Sequence, residues 1–272
     1  MTERLLYPSD PLDPKGVDET FHAEYEAARA AGIATSIFSL EDFETGTFRP
    51  RPRFTPGEVV LYRGWMLPVP RYEQLLAAIE SAGAKAFTSA EQYRQCHHLP
   101  GWYVKIRELT AETLILSRGT DFAAALADHD WPGYFVKDYV KSLNTAGGSL
   151  VDTPGEVERV VGLLESYRGE IEGGVCIRRR EDFEPETEHR HFVFKGRPFS
   201  AHGAVPDIVS KCAAWITSPF FSVDTALRSD GTLRVIEIGD GQVSDRKEWT
   251  PEQLVEMLAY DGQSSSENRH TR

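Results

Sequence analysis

The segment FFSVDTALRSDGTLRVIEIG constrains the fold of this chain more than any other. Asp230-Gly231 stands between two runs of mostly apolar residues, and Asp-Gly accepts the positive φ angles that a two-residue hairpin tip requires. With that tip, Asp224 and Glu237 fall directly opposite each other on a face shared with Ala226 and Val235. Val223, Ile236 and Ile238 then point to the other face. Like charges opposed across a sheet repel unless something positive stands between them. Carboxylate oxygens a few ångströms apart suit magnesium, which keeps water and substrate phosphates in its shell, and Asp240 at the same strand end offers a third. The alternative is a solvated sheet face that binds nothing, and the apolar flanks argue against it. Relief of the repulsion predicts that Glu237→Gln leaves the metal-free protein as stable as before, or more stable by about 0.2–1 kcal/mol.

Elsewhere the pattern is that of an α/β (α+β) protein. DETFHAEYEAARAAG reads as a helix with Asp18 as N-cap and Gly32 at its stop. IATSIF and VVLYRGWML read as strands, and Tyr72–Ala82 as a second helix stopped by Gly83. This alternation gives an N-terminal α/β domain over residues 1–100. From Gly101 come strand TLILS, helix DFAAALADH and strand YFVKDYV. Helix TPGEVERVVGLLESY follows, with Thr153, Pro154 and Glu156 forming its capped start. Strands GGVCIRRR, EHRHFVFKG and RPFSAHG, helix DIVSKCAAW, the hairpin and helix PEQLVEMLAY complete a second domain over 101–261. Residues 262–272 have the composition of a disordered tail.

Several function classes are excluded by composition. A formal net charge of -12 argues against bulk nucleic-acid binding. No run approaches the roughly 18 apolar residues of a membrane span, and the first residues do not read as a secretory signal. Cys96, Cys176 and Cys212 are odd in number and widely spaced, which fits reduced thiols in a cytoplasmic protein.

Lys137 interrupts the apolar run YFVKDYV, and Lys141 opens the small-residue loop KSLNTAGGS, which contains Gly147 and Gly148. Glycines let backbone N–H groups approach phosphate oxygens, and a strand lysine adds a point charge. Neither GxxxxGK[ST] nor GxGxxG is present, so a P-loop and a Rossmann phosphate turn are both excluded.

The order of these elements, from lysine strand and glycine loop through helix and linker strand to a carboxylate-bearing strand pair, resembles the ATP-grasp superfamily over Gly101–Tyr260. The resemblance rests on FVKDYVKSLNTAGGS, on CIRRR with EHRHFV, and on VDTALRSDGTLRVIEIGDGQ. It is nearest to the divergent clade named for an arginine and two lysines, which includes the eukaryotic cell-division-cycle factor that assembles a translation-initiation complex. The resemblance implies an ATP-grasp fold with an N-terminal pre-grasp domain, and ATP and Mg2+ as cofactors. It implies that Lys137 grips the ATP phosphates and that the backbone at Cys176, Ile177, Arg178 and Arg179 meets adenine. Arg178 and Arg190 would face the triphosphate as catalytic groups, and Asp224, Glu237 and Asp240 would hold magnesium. Lys105 or Lys141 would be the second phosphate lysine. The family often has Glu-x-Asn at the last metal position, whereas this chain has Glu237-Ile-Gly-Asp240, one residue longer.

Two functions follow from the resemblance. One is a carboxylate-amine ligase that activates a small-molecule or peptide carboxylate as an acyl phosphate for an amine acceptor. The other is an ATP-binding assembly factor that grips a protein partner without ligation. Three further groups stand outside both. His189, His191 and His202 share a face if Lys195-Gly196 is a hairpin tip, and three imidazoles can hold zinc. The competing account is a solvated face. Cys96-His97-His98 reads as a helix end. Arg63, at a strand end, reads as an anion-binding residue or as a rim arginine.

Overall fold

The computed structural model describes residues 3–143 and 148–262. The chain divides into two compact units, one of Met1–Arg94, Arg190–Ser222 and Gly239–Arg272, the other of Gln95–His189 and Val223–Ile238. The first boundary falls after Arg94. The C-terminal half, expected as one domain over 101–261, instead alternates between the units.

The first unit begins with β1 (Arg4–Pro8), α1 (His22–Ala30), β2 (Thr35–Phe38), α2 (Leu40–Glu44), β3 (Val59–Tyr62), α3 (Val69–Ser81), β4 (Lys85–Ala86) and α4 (Ala90–His97). The unit boundary cuts α4 after Arg94. Its four strands pair in parallel in the order β2-β1-β3-β4. Parallel strands covered on both faces carry continuous apolar runs. Accordingly Leu5, Tyr7 and Leu61 enter one core cluster while Leu6, Val60 and Tyr62 enter another.

The second unit carries α5 (Leu99–Ile106), β5 (Thr113–Leu116), α6 (Phe122–Leu126), β6 (Tyr134–Asp138), β7 (Leu150–Val151), α7 (Val157–Arg168) and β8 (Val175–Arg179). Its antiparallel sheet runs β5-β8-β6-β7. Tyr134, Val136, Val175 and Ile177 share a core with Val157, Val160, Val161 and Leu164 of α7, so the alternate residues Phe135, Lys137, Cys176 and Arg178 lie on the opposite face. The capping box of Thr153 and Glu156 forms as expected, with a 3-10 turn leading into α7.

The chain ends with β9 (His189–Phe194), β10 (Arg197–Ser200), α8 (Asp207–Trp215), β11 (Phe220–Leu227), β12 (Leu233–Asp240) and α9 (Pro251–Leu258). In the first unit α9 packs on α1, and Trp249, Leu254 and Leu258 join the cluster that holds Leu5 and Tyr7. This burial explains why residues after 239 return to that unit. Phe194 pairs with Arg197, so Lys195-Gly196 is the tip of the β9–β10 hairpin, and both residues have positive φ, as a two-residue turn requires.

The tip between β11 and β12 differs from expectation. Arg228 N donates to Thr232 O at 2.9 Å and Gly231 N to Arg228 O at 2.8 Å. The loop is therefore Ser229-Asp230-Gly231, with Gly231 at φ 85°, a turn closed by a glycine bulge. One added loop residue slips the pairing near the tip by one position, so direct opposition of Asp224 and Glu237 does not follow from the turn. The burial alternation of β12 also skips a step, since Val235 and Ile238 are both buried. That skip restores a phase in which Glu237 can face the cavity described below.

All three cysteines are buried, and none is in a disulfide. Arg63 is neither an anion-binding nor a rim residue. It is 1 % exposed, and its guanidinium forks onto Glu24 with both contacts at 2.8 Å. It also donates to the carbonyls of Gly241 and Ser244, while Tyr7 Oη donates to Glu24 at 3.0 Å. Removing one partner of a buried pair strands the other charge. Glu24→Ala is therefore expected to destabilise the protein by about 3–5 kcal/mol, read as a lowered urea midpoint at unchanged slope. A change within about 0.5 kcal/mol, the usual range of a surface substitution, would exclude a supporting role for the pair.

Candidate active site

A cavity of about 490 Å³ opens within the second unit. Phe135 and Lys137 of β6, Arg178 and Arg179 at the end of β8, Asp224 and Ala226 of β11, and Ile236 and Glu237 of β12 line it, with Leu150 and the segment from Glu181 to Glu188. Lys137, Arg178, Asp224 and Glu237 are thus brought to one cavity, although they are spread over a hundred residues of sequence.

Backbone hydrogen bonds hold the carboxylate-bearing hairpin in this unit. Thr110 Oγ1 donates to Val235 O at 2.7 Å, and Val235 N donates to Leu109 O at 2.9 Å. Arg178 donates from one Nη to Ile236 O at 2.7 Å and from the other to Thr110 Oγ1 at 2.6 Å. Arg234 reaches Glu108 O, Thr110 O and the Glu181 carboxylate. Arg178 therefore fixes the peptide that precedes Glu237. Burial pushes its guanidinium pKa down, against the pull of Glu237 and Glu181.

Lys137 Nζ meets Glu237 Oε1 at 2.6 Å, with side-chain exposures of 6 % and 44 %. Burial acts to raise the Glu237 carboxyl, but the Lys137 charge and hydrogen bond outweigh it and hold the pKa below the ordinary value. Asp224 opposes that shift and Arg178 assists it. Asp224 itself is 3 % exposed. Two carboxylates stand here with two cations, and the donor set on the acidic side is oxygen only, as magnesium requires.

Other expected site residues lie elsewhere. Cys176 and Ile177 are buried in a central strand, where their peptide groups pair with β5 on one side and β6 on the other. The backbone edge expected to meet adenine is thus already engaged, and at this strand the side chains of Arg178 and Arg179 reach the cavity instead. Lys105 on α5 and Lys141 in the segment after β6 are exposed and absent from the lining. Gly148 has φ 55°, and Gly147 lies outside the described residues, as does the expected tail from residue 263.

Arg190 and Asp240 belong to the first unit. By the resemblance Arg190 would face the triphosphate. Its Nη1 instead pairs with Asp245 Oδ1 at 2.6 Å. Asp240 Oδ1 accepts from the backbone and side chain of Gln242 at 3.0 and 3.1 Å, and burial pushes its carboxyl up to about 7. Sequence reasoning does not single out Phe135, Leu150 or the acidic run EDFEPETE. That run has neither helical nor strand periodicity, and its charge is the one signal that could have marked it.

The stability expected of Glu237→Gln changes sign. The dominant neighbour of Glu237 is a buried ammonium, not an opposed carboxylate, so neutralising it leaves Lys137 uncompensated. Glu237→Gln is expected to lower the stability of the metal-free protein by about 1 kcal/mol, kept small by solvent screening at the exposed carboxylate. Because the folded pKa of Glu237 is depressed, the wild-type advantage is present above the unfolded carboxylate value and lost as pH falls through the folded one. Denaturant midpoints of both proteins, measured at neutral pH and in acid, test this. A variant more stable at neutral pH would restore the repulsion account.

The structure is similar to several solved proteins at low sequence identity. A D-cycloserine synthetase, DcsG, matches at 17% identity and TM-score 0.63, covering 94% of this chain and 99% of that one. The ATP-grasp ligase PsnB, complexed with minimal precursor, Mg and ADP, matches at 12% identity and TM-score 0.60, covering 94% and 96%. The D-alanine-D-alanine ligase from Coxiella burnetii matches at 13% identity and TM-score 0.60, covering 94% of each. No curated protein matches the sequence. At these identities the likeness establishes the ATP-grasp fold. The model of an ATP-grasp domain family, the third family of the clade named for an arginine and two lysines, matches residues 77–258, so the chain belongs to that family.

Proposed function

We propose that this protein is an ATP- and magnesium-dependent ligase that activates a carboxylate as an acyl phosphate for attack by an amine. The observation that carries the reading is the convergence of Lys137, Arg178, Asp224 and Glu237 on one cavity in a chain of the ATP-grasp family. Asp224 and Glu237 would hold magnesium. Bound magnesium would supply charge neutralisation on the transferring phosphoryl group.

The residues of the chain account for the remaining requirements. Lys137 brings an ammonium to the cavity and exchanges its Glu237 contact for phosphate oxygens. Arg178 fixes the Ile236 peptide, which orients Glu237. Phe135, Leu150 and Ile236 give the cavity an apolar wall suited to a planar base. In the reaction a substrate carboxylate oxygen attacks the γ-phosphorus and ADP leaves. An amine then attacks the acyl carbon and releases phosphate, so no protein nucleophile is needed. DcsG, PsnB and the D-alanine-D-alanine ligase act on small molecules or on a peptide precursor, and both classes of carboxylate are open to this chain. No described helix is long and apolar enough to cross a membrane.

The test is incubation of pure protein with ATP, magnesium and a pool of amino acids, peptides and cell extract, reading ADP release and mass shifts. Substrate-dependent ADP release is expected. Lys137→Ala should lose calorimetric ATP binding while remaining folded, and Asp224→Asn should slow turnover by about a hundredfold or more, the scale of one preorganised charge-stabilising group. Intact ATP together with ATP-dependent capture of a single protein would replace the ligase reading with that of an assembly factor. ATP binding that survives both chelator and Lys137→Ala would remove the site assignment itself.

A further inference from the structure

A second cluster lies in the same unit and takes no part in the cavity. One ring nitrogen of His97, one of His98 and a carboxylate oxygen of Glu172 all lie within 4.8 Å of one another, the only such group of ligand types among the described residues. Side chains of consecutive helical residues diverge by about 100°, so two adjacent imidazoles rarely meet one carboxylate. Here the backbone makes it possible. α4 ends at His97, and His98 is extended at φ -99° and ψ 126°. Pro100, in the first turn of α5, cannot continue the preceding helix. The break turns both rings the same way, with centroids 5.4 Å apart and planes 33° apart.

Glu172 is delivered by the turn between α7 and β8, which is packed too tightly for any residue but glycine at two positions. A Cβ on Gly173 would come within 2.2 Å of the Tyr139 ring, and one on Gly174 within 2.7 Å of Leu116 O. Tyr139 also fixes the other half of the cluster. Its carbonyl accepts from Leu99 N at 2.8 Å, and its ring packs edge-on against His98 at 5.8 Å. Helix junction and turn are thereby anchored to one residue, so the three ligand groups are held by backbone rather than by chance rotamers.

We propose that His97, His98 and Glu172 form a zinc site, with both Nε2 atoms and the carboxylate as ligands and the fourth position taken by water. Two histidines and a glutamate are a ligand set that zinc accepts. Ligand atoms about 2.0–2.1 Å from a tetrahedral ion stand about 3.3 Å apart. Glu172 Oε1 lies 3.1 Å from His98 Nε2 and 3.6 Å from His97 Nε2, values that bracket that edge. A bound ion would cross-link the α4–α5 junction to the turn entering β8. It would be a structural or regulatory site rather than part of the phosphoryl-transfer cavity.

The test uses the full chain with cobalt(II) as a spectroscopic substitute, in excess magnesium to fill the oxygen-only site. One equivalent should give the intense visible bands of four-coordinate cobalt, and zinc should displace it. Glu172→Gln and His98→Ala, which replace partly exposed side chains, should each weaken zinc binding by more than about tenfold, the least that loss of even an outer-shell partner costs. Both should also lose the rise in melting temperature that zinc gives the wild type. Glu237→Gln should keep the bands. Weak octahedral cobalt absorption in the wild type would leave the cluster a hydrogen-bonded helix junction and overturn the proposal. So would bands unchanged in both variants, or bands lost only in Glu237→Gln.

Discussion

The arrangement of the cavity depends on a charge constraint. Asp224 and Glu237 project from neighbouring strands into a partly enclosed space, and two carboxylates there are tolerated only with positive charge beside them. Lys137 supplies it at 2.6 Å from Glu237, from the sheet face opposite the one packed on α7. The same contact compensates the lysine, whose ammonium is almost wholly withdrawn from water. Each charge makes the other admissible.

Buried charge in the first unit is handled differently. Arg63 is held by Glu24 and two carbonyls, Arg190 donates to Asp245, and Asp240 Oδ1 is held by Gln242. Arg63, which looks open to an anion from its place in the sequence, serves to fasten the loop after β12 to α1. Its five donors in a planar fork suit that role, which lysine could not fill. In the second unit Arg178 does comparable work, since its hydrogen bonds to Ile236 O and Thr110 fix the peptide next to Glu237.

The sequence exposes the elements well because their ends carry local chemistry. Gly32 and Gly83 take positive φ at helix stops, Thr153 and Glu156 build a capping box, and Lys195-Gly196 closes a hairpin. Each is decided by residues within a few positions of one another. The β11–β12 tip misleads because Asp-Gly serves both a two-residue turn and the glycine bulge of a three-residue loop. Strand register amplifies such an error, since one residue of slip moves every side chain to the other face. The compensating break between Val235 and Ile238 has no sequence signal of its own.

What the sequence by itself determined was the kind of element in each place: an α/β start, a lysine strand before a glycine-rich stretch and a final hairpin with two acids, an order that resembles the ATP-grasp superfamily. Periodicity and caps place the elements because they act over short spans of chain. Tertiary structure alone decided which charges meet. It set Lys137 against Glu237, gave Arg190 and Arg63 internal partners, engaged the backbone of Cys176 and Ile177 in two ladders, and broke a helix so that His97 and His98 converge on Glu172. Coulomb energy and desolvation depend on distance and burial. Neither is written in the linear order of residues that lie a hundred positions apart.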